Sequence, residues 1–159
     1  YAANPDARKL PIPDTICEMG RFGQKTRAGW FDYKEGDRTP YPSEVVEKII
    51  SDYREEAGIT SKSFTDEEIL RRILFSSINE ICKILDEGIA YKATDADVMW
   101  LNGFGFPRYR GGVMFWADQI GVKAVYEQIS AWHDELGDRW APSPYLKKLA
   151  DEGKSFTGD

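Results

Sequence analysis

Residues 65–116 read TDEEILRRILFSSINEICKILDEGIAYKATDADVMWLNGFGFPRYRGGVMFW, and their periodicity decides the fold. Thr65 stands where an N-cap belongs, and Glu68 three residues later completes a capping box. Asp66, Glu67 and Glu68 put negative charge where the helix dipole favours it. Leu70, Ile73, Leu74, Ile78, Ile81, Cys82 and Leu85 then recur at spacings of three and four, which predicts one long amphipathic helix closed by Gly88. A second helix is expected to start at Thr94, with Asp95 and Asp97 in its first turn and Gly103 as its stop.

The loop 102–112 that follows is less ordinary. Between Asp97 and Asp118 the only charged residues are Arg108 and Arg110, and six aromatics fall there, Trp100, Phe104, Phe106, Tyr109, Phe115 and Trp116. Its glycines permit close backbone approaches, and Pro107 fixes one φ and draws Phe106 towards an extended shape. Such a loop suits either a packed connection between core helices or a binding surface.

Working outward, the expected elements are again helical. Residues 1–13 read as an extended lead-in and residues 14–19 as a short helix with Ile12, Ile16 and Met19 inward. GRFGQKTRAGWFDY, residues 20–33, carries Arg21, Lys25 and Arg27 among glycines and then an aromatic run suited to a short extended segment. Lys25-Thr26 echoes the end of a phosphate loop, but Gln24 stands where that motif needs Gly, and no apolar strand precedes it. Residues 33–43 form a polar turn with Pro40 and Pro42, the best candidate boundary. A helix over 43–57 should bury Val45, Val46, Ile49, Ile50 and Tyr53. Another over 122–136 uses Val125, Ile129 and Trp132, and a last one over 144–151 has Ser143 as cap. Residues 153–159 are expected to fray. The fold class is therefore all-α.

Composition narrows the function. Hydrophobic residues make up 42% and charged residues 30%, a globular profile, and no run approaches the ~18 apolar residues of a membrane span. A net charge of −6 argues against nucleic acid as a partner. Cys17 and Cys82 lack metal or disulfide-scaffold spacing, and Cys82 lies on an apolar face as a buried thiol. The lone His133 has no constellation around it. GFGFP follows a helix and fails the dinucleotide spacing, so neither a catalytic residue nor a cofactor site is assigned. The first residue is not Met, and the chain is expected to be a fragment.

LNGFGFPRYRGGVMFWAD, preceded by INEICKILDEGIAYKATDADVMW, closely resembles the C-terminal helical region of the bifunctional enoyl-CoA hydratase/3-hydroxyacyl-CoA dehydrogenases of fatty-acid β-oxidation. In that family the dehydrogenase C-terminal domain occurs twice, and the match is to the second copy. GRFGQKTRAGWFDY is similar to the segment that closes the first copy. The resemblance implies a helical 3-hydroxyacyl-CoA dehydrogenase C-terminal-like domain at 43–159. It implies that 1–42 is the irregular tail of the first copy and a linker. It implies NAD as cofactor of the parent enzyme, but none bound by this chain, whose catalytic partners would lie upstream. The expected partners are the upstream NAD-binding and first C-terminal domains, with acyl-CoA met indirectly. Arg21, Lys25, Arg108 and Arg110 are candidates for acyl-CoA or domain contacts, and the last two equally for bonds to loop carbonyls. The rival class is a non-enzymatic all-α interaction module using loop 102–112. A standalone acyl-CoA-binding domain is a third reading. The C-terminal FTGD is not a Ser-Lys-Leu type address, so a bacterial cytoplasmic setting is expected over a peroxisomal one.

Overall fold

The computed structural model describes residues 11–158. Among these residues seven α-helices form: α1 Pro11–Glu18, α2 Glu44–Glu56, α3 Asp66–Asp86, α4 Ala93–Gly103, α5 Val113–Ile120, α6 Val122–Leu136 and α7 Pro144–Glu152. Two compact units divide between Ser63 and Phe64. The expected boundary after Pro42 differs from that division, because α2 packs on α1 and so belongs with the first unit.

In the first unit α1 begins three residues before the expected Asp14. Pro11 and Pro13 fall in its first turn, where the missing N–H groups have no intrahelical acceptor to lose. The rest of the lead-in expected at the N-terminus lies outside the described residues. Ile16 is buried, but Met19 lies past the helix end and points outward, against expectation. On α2 only Val46 is fully buried, and Val45 is exposed. Residues 20–43 are held by single antiparallel bridges, Gly23 to Ala28, Ala28 to Asp32 and Asp32 to Tyr41, instead of the extended segment expected near Trp30.

The second unit is built on α3. Its capping box forms as the sequence predicts: the Glu68 N–H donates to Thr65 Oγ1 at 3.2 Å, and Glu68 Oε2 accepts the Thr65 N–H at 2.7 Å. The Thr65 backbone N–H, and after it the Thr65 hydroxyl donating to the same Oε2 at 2.9 Å, hold the Glu68 carboxyl below its usual range. Phe75, Ile78 and Cys82 are fully buried on the inner face, with Leu74 and Ile81 beside them. Ile73 is 58% exposed and Leu70 is also exposed, contrary to the stripe read from sequence. At 3.6 residues per turn Ile73 falls about a quarter-turn outside the buried arc, on the side of Ile69.

Around α3 stand α5, α6 and α7, contributing Val113, Met114, Val125, Ile129 and Leu146, all fully buried. Phe75 packs on Trp132 with ring centroids 5.8 Å apart, and Trp132 packs on Trp140 at 4.6 Å. Asn79 is a buried polar residue within this core. It donates Nδ2–H to the Ala141 carbonyl at 2.9 Å and accepts the Ser143 N–H on Oδ1 at 2.8 Å, fixing the proline turn to α3. Ser143 does stand at the N-cap of α7, but its Oγ caps no N–H group of that helix, so the expected side-chain cap does not form.

As far as Gly158 the C-terminal segment does not fray as expected, and the last residue of that expectation lies outside the described residues. Phe156 is buried, and Asp118 of α5 accepts the N–H groups of Phe156 and Thr157 at 2.7 and 2.9 Å and the Thr157 hydroxyl at 2.6 Å. No helix among the described residues is long and apolar enough to cross a membrane.

Candidate functional site

The segment running from α4 through residues 104–112 into α5 carries the least ordinary geometry. Helix α4 starts one residue before the expected Thr94, with Lys92 at its N-cap and Asp95 accepting the Lys92 N–H at 3.2 Å. Asp97, one turn on, faces inward between Ala93 and Ala96 on one side and α5 on the other, and it is buried. Its Oδ1 accepts the Met114 N–H at 2.7 Å and its Oδ2 the Phe115 N–H at 3.2 Å. A carboxylate from α4 thus caps the free N–H groups that open α5. Burial raises the Asp97 pKa, the two N–H bonds pull it back, and the nearby Asp118 charge pushes it up again.

The turn between the helices is pinned at both ends. The Phe106 N–H donates to the Trp100 carbonyl at 3.1 Å, and its buried ring meets Trp100 edge-on at 6.1 Å. Arg108–Arg110 then makes one turn of 3-10 helix, and Gly112 leads into α5 at φ 126°, a conformation open to glycine. With the backbone held this way, Phe104 is 66% and Tyr109 84% exposed. The aromatics of the loop therefore divide: Phe106 serves packing, while Phe104 and Tyr109 face outward.

The four cations singled out from sequence fall in different settings. Arg21 is turned inward, its side chain 11% exposed. It donates Nε–H to the Gly29 carbonyl at 3.0 Å and Nη2–H to Asp32 Oδ1 at 2.7 Å and Ser43 Oγ at 2.8 Å. The Arg21 bond, with the Ser43 hydroxyl second, holds the Asp32 carboxyl below its ordinary range. Arg21 is thus a fastener of the 20–43 segment, with few donors left for a ligand. Lys25 stands exposed in the 3-10 turn Gln24–Thr26. Arg108 and Arg110 share one turn. Arg108 donates to Asn102 Oδ1 at 3.1 Å, and the Arg110 guanidinium lies 5.6 Å from the Tyr109 ring centroid. Neither makes the loop-carbonyl bonds considered from sequence, among the bonds of the described residues.

The cysteines and the one histidine form no further cluster among the described residues. Cys82 is buried, and burial pushes its thiol pKa up to about 12, whereas Cys17 is exposed. His133 Nε2 lies 3.3 Å from Asp138 Oδ1 at the surface. No group of three His, Cys, Asp or Glu among the described residues could hold a metal ion. Residues 103–107 do not form a dinucleotide-binding turn: they leave the C-terminus of α4, with no strand before them and only the 3-10 turn Arg108–Arg110 directly after them.

Sequence reasoning missed Asp97 as the organising residue of this segment. It read Asp97 as a first-turn acid of its own helix. The available signal was its place on the inward arc with Ala93 and Ala96, since an acid there demands hydrogen-bond partners.

Residues 69–157 match the family described as 3-hydroxyacyl-CoA dehydrogenase, C-terminal domain. The chain belongs to that family. Among curated relatives of this 3-hydroxyacyl-CoA dehydrogenase C-terminal chain, the peroxisomal bifunctional enzyme of Danio rerio is 44% identical over 90% of the chain and 20% of the relative. That of Homo sapiens is 44% identical over 92% of the chain and 21% of the relative. The peroxisomal fatty acid beta-oxidation multifunctional protein of rice is 35% identical over 94% and 21%. The chain spans about a fifth of the length of these relatives. Among solved structures, the dehydrogenase part of multifunctional enzyme 1 from C. elegans matches with a TM-score of 0.65 at 20% identity, over 90% of this chain and 33% of that one, which supports the helical fold. The named relatives are peroxisomal or glyoxysomal proteins of animals and plants, and this overturns the bacterial cytoplasmic setting expected from sequence.

Proposed function

We propose that this chain is a supporting region of a longer peroxisomal β-oxidation enzyme, one that hydrates 2-enoyl-CoA and oxidises 3-hydroxyacyl-CoA with NAD. Residues 64–159 act as the second dehydrogenase C-terminal copy, and the first unit carries the closing tail of the first copy. The chain supplies shape and packing to the dehydrogenase, while reacting groups and the NAD site reside elsewhere in the polypeptide. The observation that carries this reading is the family match over 69–157 in a chain spanning about a fifth of its relatives. The use of Asp97, Asp118, Asn79 and Arg21 as internal fasteners supports it.

The test compares NAD-dependent oxidation of a 3-hydroxyacyl-CoA by the natural full-length polypeptide and by the 159-residue chain. Activity is expected in the first and none in the second. Turnover by the chain alone would falsify the supporting role. The outward Phe104 and Tyr109 favour a second reading, a non-enzymatic interaction module, in which the full-length polypeptide shows no such activity either. Titration of the chain with free CoA addresses Lys25, Arg108 and Arg110 as direct ligand contacts, and no saturable binding is expected.

A further inference from the structure

Hydroxyl side chains crowd into one short stretch. Thr60, Ser61, Ser63 and Thr65 fall within residues 59–65, which form neither helix nor strand, and every residue from 54 to 70 is exposed. Of these hydroxyls only Thr65 is followed directly by three acids, Asp66, Glu67 and Glu68. Similar patterns elsewhere are closed to a second protein. Thr94 precedes Asp95 and Asp97, but Asp97 is buried on the Met114 and Phe115 N–H groups. Ser77 stands three residues before Glu80 but in the middle of α3. A separate observation concerns the space beside Thr65. A cavity of about 430 Å³ opens there, bounded by Thr65, Arg71 and Arg72 and by the carboxylates of Glu67, Glu68 and Glu135. The Arg72 guanidinium is kept at its wall, 5.2 Å from the ring centroids of both Phe64 and Trp132.

We propose that Thr65 is a phosphorylation site for an acid-directed serine/threonine kinase, and that its phosphate sits in this cavity, on the opening N–H groups of α3 and beside the two arginines. A kinase of that class reads its substrate by charge, and acids just after the acceptor pair with its basic groove. Thr65 Oγ1 attacks the γ-phosphorus of a nucleoside triphosphate. The new O–P bond forms as the bond to the β-phosphate breaks, the diphosphate leaves with the electron pair, and the hydroxyl proton passes to the kinase's base. The product carries close to two negative charges at an N-cap, where the helix dipole favours them. It also rearranges the capping box. Thr65 Oγ1–H now donates to Glu68 Oε2 at 2.9 Å, and a phosphate ester has no such proton to give. Glu68 is pushed out by like charge, and the phosphate oxygens take the Glu68 N–H that Thr65 Oγ1 accepts in the unmodified chain. Helix α3 thus exchanges a neutral cap for an anionic one. This assignment does not depend on the supporting role proposed for the chain.

Phosphopeptide mass spectrometry of the natural full-length polypeptide, isolated from cells with phosphatases inhibited, tests the site. Phosphate is expected on Thr65. Complete coverage of residues 60–68 without phosphate, or with phosphate on Ser63 alone, overturns the proposal. The chemistry is tested on the 159-residue chain with a purified acid-directed kinase and ATP. A single phosphoryl group is expected, and none in Thr65→Asn. Asn is as good an N-cap as Thr, so an unchanged melting temperature shows that the loss reflects the missing acceptor and not unfolding. No incorporation into the wild-type chain, or equal incorporation into Thr65→Asn, sinks the assignment. Carboxyl NMR tests the seating. Glu68 is expected to titrate at higher pH in the phosphorylated chain than in the unmodified one, because it loses the hydroxyl donor and gains a like charge. A Glu68 titration that does not move would leave the phosphate in open solvent and overturn its place in the cavity.

Discussion

The carboxyl group of Asp97 fills the space that a side chain on Gly112 would need: a Cβ built there would lie 2.3 Å from the Asp97 carboxyl carbon and Oδ1. The same carboxylate holds the N–H groups of Met114 and Phe115, so the glycine and the acid are two halves of one joint.

Gly112→Ala is therefore expected to destabilise the chain by about 2–5 kcal/mol, from overpacking plus a strained positive φ. Gly111→Ala meets the movable Phe115 ring instead and should cost less, since a side chain yields more easily than a buried joint. Denaturant unfolding of both variants checks the order, and equal losses would contradict the joint.

Asp97→Ala should lose about 2–3 kcal/mol, as two helix-opening N–H groups are left buried without an acceptor. Asp97→Asn keeps one acceptor oxygen and should lose about half as much. The pH dependence has a definite sign. The folded Asp97 pKa lies above its ordinary value of 3.8, so the native state binds this proton more tightly than the unfolded one. The stability it contributes is then largest in acid and declines as pH rises from about 3.8 through the folded pKa. The stability of wild type minus that of Asp97→Asn, followed across that window, should shrink with rising pH. A difference that grows would reverse the assignment.

Asn79 offers a test far from the loop. Asn79→Ala strands the Ala141 carbonyl and the Ser143 N–H against the core, for an expected loss of about 2–4 kcal/mol. Urea melts measure it. A loss no greater than that of an ordinary surface substitution would show that the proline turn is held by other means.

The C-terminal anchor predicts a local effect. Asp118→Ala should speed hydrogen exchange at the Phe156 and Thr157 amides at least about tenfold, the result of losing roughly 1.4 kcal/mol of protection. Phe156→Ala should lower global stability by about 3 kcal/mol if its ring is part of the core.

Thiol titration gives a simple check on burial. In the folded chain Cys17 should react promptly with a disulfide reagent at neutral pH and Cys82 should not, while denaturant should release both. Prompt reaction of two thiols in the native chain would place Cys82 wrongly.

Local chemistry was legible in the sequence, and distant partnership was not. Thr65 and Glu68 sit three residues apart, so the capping box that opens α3 could be read directly. Ile78, Cys82 and Ile129 followed from helical spacing. Asp97 and Asp118 could not be assigned that way, because the N–H groups they satisfy lie 17 and 38 residues further along the chain. The same reason explains the tail: FTGD looks like loose polar sequence until Asp118 supplies its acceptors. Ile73 failed for the opposite reason, since a spacing of three places it beside Leu70 without saying whether anything covers that side. Of the candidate cations, charge alone singled out Arg21 and Arg108 alike, although one is spent inside its unit and the other is not.

The bonds from Asp97 to Met114 and Phe115 close residues 97–115 into a ring without a covalent link. A cross-link of that kind removes loop freedom much as a disulfide does, yet no oxidant is needed to make it and no reductant opens it. The turn that carries Phe104 and Tyr109 is thus held by a clasp indifferent to thiols, and it keeps its stiffness whatever the redox state of its surroundings.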